Sequence, residues 1–256
     1  MTIRPFNAGF FLLLALTVGA IVLLWALLHG RAEHQRAAVL IALCGINIIG
    51  FFIYKGFLSG DAQFLQASGL ARFNWFNELP LQLCNINMFL IPIGILTHRR
   101  HLLGFAFFVA PLGALMALVF PEAPFSGYSL WMPRIFGFYF THMLIIVCSI
   151  SLATLGFYRP RPKDLPGIAG TFLALGFGAL LVDLLLLRHT VCPQANYFFV
   201  FGQDVDISIL NLFWKWIPVP FLYELPALVI LFAYMGLVCL LFFELDRHRA
   251  HRTAAR

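Results

Sequence analysis

Charge is what this chain of 256 residues has least of. Asp, Glu, Lys and Arg together make up 11% of it, against 61% apolar residues, where globular chains run nearer 25% charged. So few charges cannot coat a water-exposed body, and with a mean hydropathy of +0.89 most of the exterior must face lipid. The same shortage of polar residues excludes a disordered chain. Cysteine is scarce as well. Five cysteines with no CxxC pair exclude a disulfide scaffold. There is no internal repeat, no low-complexity tract and no linker long enough to divide the chain, so one integral membrane domain over residues 1–256 is expected.

What is present is a series of apolar runs with the basic residues between them. Seven runs approach the ~20 residues that cross a bilayer: Phe10–Leu28, Ala37–Phe57, Leu79–Thr97, Leu102–Phe120, Ile135–Phe157, Pro166–Leu187 and Pro218–Phe243. The expected fold is all-α, a bundle of about seven transmembrane helices. The first run is longer than a signal-peptide core, and no A-x-A site follows it, so it reads as a helix of the mature protein. Assigning the connectors to alternate sides places eleven Lys and Arg on one side and six on the other. Cytoplasmic loops carry the excess, which puts the N-terminus outside and the C-terminus in the cytoplasm. The net charge of +6 is then explained by topology. No basic stripe with interleaved aromatics suggests nucleic-acid binding. The expected location is a cell membrane, crossed many times, such as a bacterial inner membrane.

The polar residues inside the runs are not scattered. Measuring depth at ~1.5 Å per residue, Gln82, Cys84, Asn85 and Asn87 fall in the outer half of the third run, below Glu78 at its mouth. Tyr139, Thr141 and His142 fall in the first turns of the fifth. Lys55 and Asp183 lie near the outer ends of the second and sixth, with Asn47 near mid-depth, and Tyr223 and Glu224 open the seventh. The inner halves carry only hydroxyls such as Ser149, Ser151, Thr154 and Thr171, which can bond their own helices. Ionisable groups in a bilayer are costly and face the bundle interior or a wet cavity. The bland reading is interhelical glue; several such groups at one depth favour a site. As a helix, the third run would set Gln82 with Asn85, and Cys84 with Asn87, on two adjacent stripes.

Cys44, Cys148 and Cys239 sit among apolar neighbours and Cys192 in a loop, whereas Cys84 is surrounded by amides. A thiol becomes a nucleophile when a base or a positive neighbour raises its thiolate fraction. The i,i+3 pairs His98/His101 and His248/His251 read as interfacial basic clusters rather than metal ligands. No metal and no cofactor is expected.

The segment Leu79-Pro80-Leu81-Gln82-Leu83-Cys84-Asn85-Ile86 is followed by Gly113-Ala114-Leu115-Met116-Ala117-Leu118, by Thr141-His142 closing Phe136–His142, by Tyr158-Arg159-Pro160 and by Asn196-Tyr197. Over residues 79–230 this pattern resembles the YwaF-like family of polytopic membrane proteins, which includes eukaryotic transmembrane protein 164. That family more often carries His at the position of Gln82 and an acidic residue at that of Asn85. The resemblance implies acyl transfer between membrane lipids, with Cys84 as nucleophile and His142 as its base. Gln82, Asn85, Asn87, Tyr139, Asp183, Asn196 and Glu224 are supporting candidates, with Asn85, Asn87 or Tyr139 as oxyanion donors. An alternative of a different class is a transporter or channel, for which Asp183 and Glu224 would line a polar path.

Overall fold

The computed structural model describes residues 2–202 and 208–254, with the side chains of 208, 209 and 249–254 left aside. His251, Arg249, Arg252 and Arg256 of the basic tail therefore lie outside the described side chains. The described residues are helical, with a single bridge between Thr2 and Ser129. The helices are α1 Ala8–Leu28, α2 Glu33–Leu58, α3 Ala62–Ala67, α4 Asn87–Thr97, α5 Arg100–Val119, α6 Pro133–Thr154, α7 Leu165–Leu181, α8 Ser208–Trp216 and α9 Leu225–Ala254. Among the described residues six helical stretches are long and apolar enough to cross a membrane: α1, α2, α5, α6, Pro162–Val191 around α7, and Leu222–His248, which takes in most of α9. The chain is a polytopic helical membrane protein.

One expected span is shorter than its hydropathy. The run 79–97 is not one helix: its C-terminal part forms α4, 11 residues long and so ~16 Å at 1.5 Å per residue, while residues 79–86 are irregular turns. Hydropathy records that this stretch avoids water and says nothing of its backbone. Here the Asn87 side-chain amide donates to the Leu83 carbonyl at 2.7 Å, a local bond that competes with helical pairing. The two polar stripes expected on this run therefore do not exist as helix faces. At the other end of the chain, α7 continues past its last α-turn into a π-helical stretch, Val182–Val191.

The chain forms two compact bodies, residues 1–99 with 106–157, and residues 100–105 with 158–256. In the first, α6 is the central helix, packed on α1, α2 and α4. Two thirds of its apolar window is buried, 67%, against 11% for α1. A bilayer accepts that exposure, because lipid solvates an all-apolar helix such as α1. The close packing of α2 on α6 turns on Gly137, where a Cβ would run into the Tyr54 ring and its Cβ. Around this approach gather Phe51, Tyr54, Met88, Ile135, Phe138 and Tyr139.

Ion pairs ring the same end of the first body. Lys55 pairs with Glu78. Arg134, fully buried, donates to Asp61 at 2.5 Å and to the Pro124 carbonyl at 3.0 Å, and stacks over the Tyr128 ring at 4.3 Å. Asp61 also caps α3 by accepting from the Phe64 N–H at 3.0 Å. Partial burial works against the charge on Asp61, but the Arg134 guanidinium and the capping N–H groups outweigh it and hold the carboxyl below its ordinary range.

The second body is tied by Arg100, which forks onto Asp164 at 3.1 and 2.6 Å and also donates to the Arg159 carbonyl at 2.9 Å. Arg159 in turn donates to Asp246 at 2.7 Å. These planar, multiply bonded pairs use the guanidinium as a rigid fork, which a lysine could not replace.

A cysteine–histidine dyad in the first body

His142 stands on the buried α6, with its position fixed from three directions. Its ring Nδ1 lies 2.8 Å from the Phe138 carbonyl one turn back. A carbonyl oxygen can only accept, so Nδ1 carries the hydrogen and Nε2 of the neutral ring holds the lone pair. The Phe138 ring packs against the imidazole with centroids 4.4 Å apart. From α2, the buried Asn47 amide donates to the Thr141 carbonyl at 3.2 Å, tying the turn beside His142 to the neighbouring helix.

Cys84 comes from the irregular turn that leads into α4. The turn is closed by the Ile86 N–H on the Gln82 carbonyl at 3.0 Å and by the Asn87 side chain on the Leu83 carbonyl at 2.7 Å. Its outer wall is the small-residue face of α5. Cys84 packs with Ala110, Ala114 and Ile145, and a Cβ on Gly113 would come within 3.8 Å of the Cys84 Cβ.

These two constructions meet. The Cys84 Sγ lies 3.6 Å from His142 Nε2, the nitrogen left unprotonated by the bond to Phe138. The thiol S–H donates towards a base whose other nitrogen is already committed. This is the arrangement that nucleophile activation needs: a nucleophile, a base in reach and a third group that fixes the base's tautomer. Here the third group is a backbone carbonyl instead of a carboxylate.

The supporting candidates divide. In the first body, Asn85 is 8% exposed and Tyr139 1%, and the Asn85 Oδ1 and the Tyr139 hydroxyl have no hydrogen-bond partner among the described residues. Asn87 is fully buried and its amide nitrogen donates to the Leu83 carbonyl, a bond that shapes the turn. Gln82 lends its carbonyl to the same turn. Asp183, Asn196 and Glu224 belong to the second body. There Asp183 accepts from the Tyr197 N–H at 2.7 Å, and Asn196 holds Phe201 through both ends of its amide, each at 3.0 Å. The Glu224 carboxyl is buried with Oε1 unpartnered.

Three contributors were not among the sequence candidates: the Phe138 carbonyl, the Gly113 face, and Asn47 as an anchor for the base. The first follows once α6 is known to be a helix, because residue 138 is four before 142. The other two depend on which helices touch. Among the described residues no three His, Cys, Asp or Glu side chains gather where they would hold a metal ion. His101, a member of one of the histidine pairs, has its Nδ1 3.0 Å from the Thr171 hydroxyl.

Fold and site together define a polytopic helical membrane protein with a buried thiol–imidazole pair. The chain belongs to the TMEM164 family, whose family model matches residues 5–243 and so includes α1 and α2 as well as the blocks from residue 79 onwards. No curated protein and no solved structure matches it.

Proposed function

We propose that this protein is a lipid acyltransferase of a cell membrane, working through a thioester on Cys84. The observation that carries the reading is the 3.6 Å approach of the Cys84 thiol to a His142 nitrogen whose tautomer is set by the Phe138 carbonyl. In the first half-reaction His142 Nε2 takes the thiol proton and the sulfur attacks the ester carbonyl of a phospholipid chain. The tetrahedral intermediate expels the lysolipid alkoxide, which recovers the proton from His142. In the second half the acceptor, a lysolipid hydroxyl, gives its proton to the same nitrogen and attacks the thioester, and the thiol is restored.

The test is chemical. Purified protein in lipid nanodiscs, given a phospholipid with a tagged acyl chain, should acquire a hydroxylamine-labile label that is absent from Cys84→Ala. Labelling that persists in that variant, or never forms in the wild type, would overturn the reading. A transporter, drawing on the buried Asp183 and Glu224 carboxyls, would instead show solute flux in sealed vesicles that survives Cys84→Ala.

A further inference from the structure

The acyl-transfer reading requires something to hold the negative charge that appears on the ester oxygen. Of the side chains expected to do so, Asn87 gives one of its two amide N–H bonds to Leu83. Tyr139 sits within the apolar cluster of Phe51, Tyr54 and Phe138.

The backbone of the Cys84 turn offers a different answer. Leu81 N–H donates to Leu79, Ile86 N–H to Gln82, Asn87 N–H to Cys84 and Met88 N–H to Asn85. Between them the N–H groups of Leu83, Cys84 and Asn85 have no carbonyl partner among the described residues, and the last two are those beside the nucleophile. Both face the Cys84 sulfur. Backbone N–H groups away from water that lack a carbonyl partner are uncommon in folded proteins, and these two are left able to donate to a group that forms on the nucleophile. The Asn85 side chain, 8% exposed with its oxygen unpartnered, borders the same point. The turn also runs directly into α4, whose aligned peptide dipoles present their positive end there.

Resting on the acyl-transfer reading, we propose that the backbone N–H groups of Cys84 and Asn85 bind the oxyanion of the tetrahedral intermediate. As the S–C bond forms, the carbonyl π pair moves onto the oxygen, and the two N–H groups donate to it. When the C–O bond to the lysolipid breaks, that pair returns to re-form the carbonyl of the thioester, and the alkoxide leaves with the proton held by His142. The donors are in place before substrate arrives and need no reorganisation during the reaction, the condition under which such groups act most strongly. The assignment also explains why the nucleophile stands on a turn. In a continuous helix over 79–97 the Cys84 and Asn85 N–H groups would be consumed by the carbonyls four residues back.

The test deletes one N–H and keeps the side chain. Residue 85 is replaced by the α-hydroxy analogue of asparagine, which turns its peptide bond into an ester; Asn85→Pro, which also lacks the N–H, serves as a second variant. Two rates are read on full-length protein in nanodiscs: acyl-enzyme formation from the tagged phospholipid and alkylation of Cys84 by iodoacetamide. The expected result is a fall of about 10²–10³-fold in acylation, the usual effect of losing one oxyanion donor, with alkylation retained within a few-fold. A long-chain aldehyde, which adds to the thiol to give a tetrahedral hemithioacetal, should weaken as an inhibitor by a similar factor. Variants that are alkylated at Cys84 and acylated at the wild-type rate would overturn the assignment, as would the same loss produced by Tyr139→Phe alone. A wild-type protein that is alkylated but never acylated would overturn the acyl-transfer reading itself, and the assignment with it.

Discussion

The two bodies use their buried polar groups differently. In the second, the Asp183 carboxylate accepts a backbone N–H and Asn196 clasps Phe201 at both ends of its amide. These are the bonds of side chains that hold a loop in shape. In the first, a thiol faces the unprotonated nitrogen of an imidazole whose tautomer is set from behind. Burial alone does not separate the two cases, since His142 at 5% exposure and Asp183 at 0% are equally removed from solvent. What separates them is where the hydrogen bonds end. A polar group whose bonds close on the backbone supports the fold, and a reactive atom aimed at another reactive atom is available for chemistry.

That contrast is open to attack by mutation. The largest effect belongs to the base. His142→Ala should slow acyl-enzyme formation by about 10²–10⁴-fold, the span of general base catalysis, with little change in melting temperature; equal losses of rate and stability would mean that His142 is a packing residue. Next is Gly137→Ala, which forces a methyl group against Tyr54. Overpacking of a tight contact costs about 1–3 kcal/mol, and because the displaced helix carries His142, acylation should fall along with thermal stability. In the second body Asn196→Ala removes two bonds to Phe201. At about 1 kcal/mol net for each it should lower the melting temperature, and labelling of Cys84 measured below that temperature should stay near the wild-type rate.

The smallest effect concerns pH. The folded-state carboxyl of Asp61 is held below its unfolded value through Arg134. The stability it contributes is therefore fully present above the unfolded carboxylate range, around pH 3.9, and is lost as pH falls through the lowered folded value. Thermal melts of the wild type against Asp61→Asn should converge as the pH drops below about 4.

Much of this architecture is legible in the sequence, because a bilayer leaves a helix few alternatives. Among the described residues the apolar runs locate the six long helices. The run at 79–97 is the exception. Its apolar composition hides a change of backbone, since hydropathy reports solvent preference while local bonds such as that of the Asn87 amide compete with the helix. The supposed stripes of Gln82 with Asn85 and Cys84 with Asn87 disappeared with that helix. Cys84 and His142 were nameable as residues from the family resemblance, but their contact depends on how α6 packs against α2 and α4, with Gly137 against Tyr54, and on the Cys84 turn lying against Ala110 and Ala114 of α5. Such close approaches between helices leave only a glycine in the sequence, and most of the chain's 20 glycines mark nothing comparable.

The most direct trial of the account is peptide mapping by mass spectrometry after brief incubation with phospholipid and acid quench. Cys44, Cys148, Cys192 and Cys239 are buried while Cys84 is partly accessible. The account predicts an acyl chain on the peptide that contains Cys84 and on no other, discharged when lysolipid is added. An unmodified Cys84 alongside measurable acyl transfer, or an acyl group on a different cysteine, would contradict it.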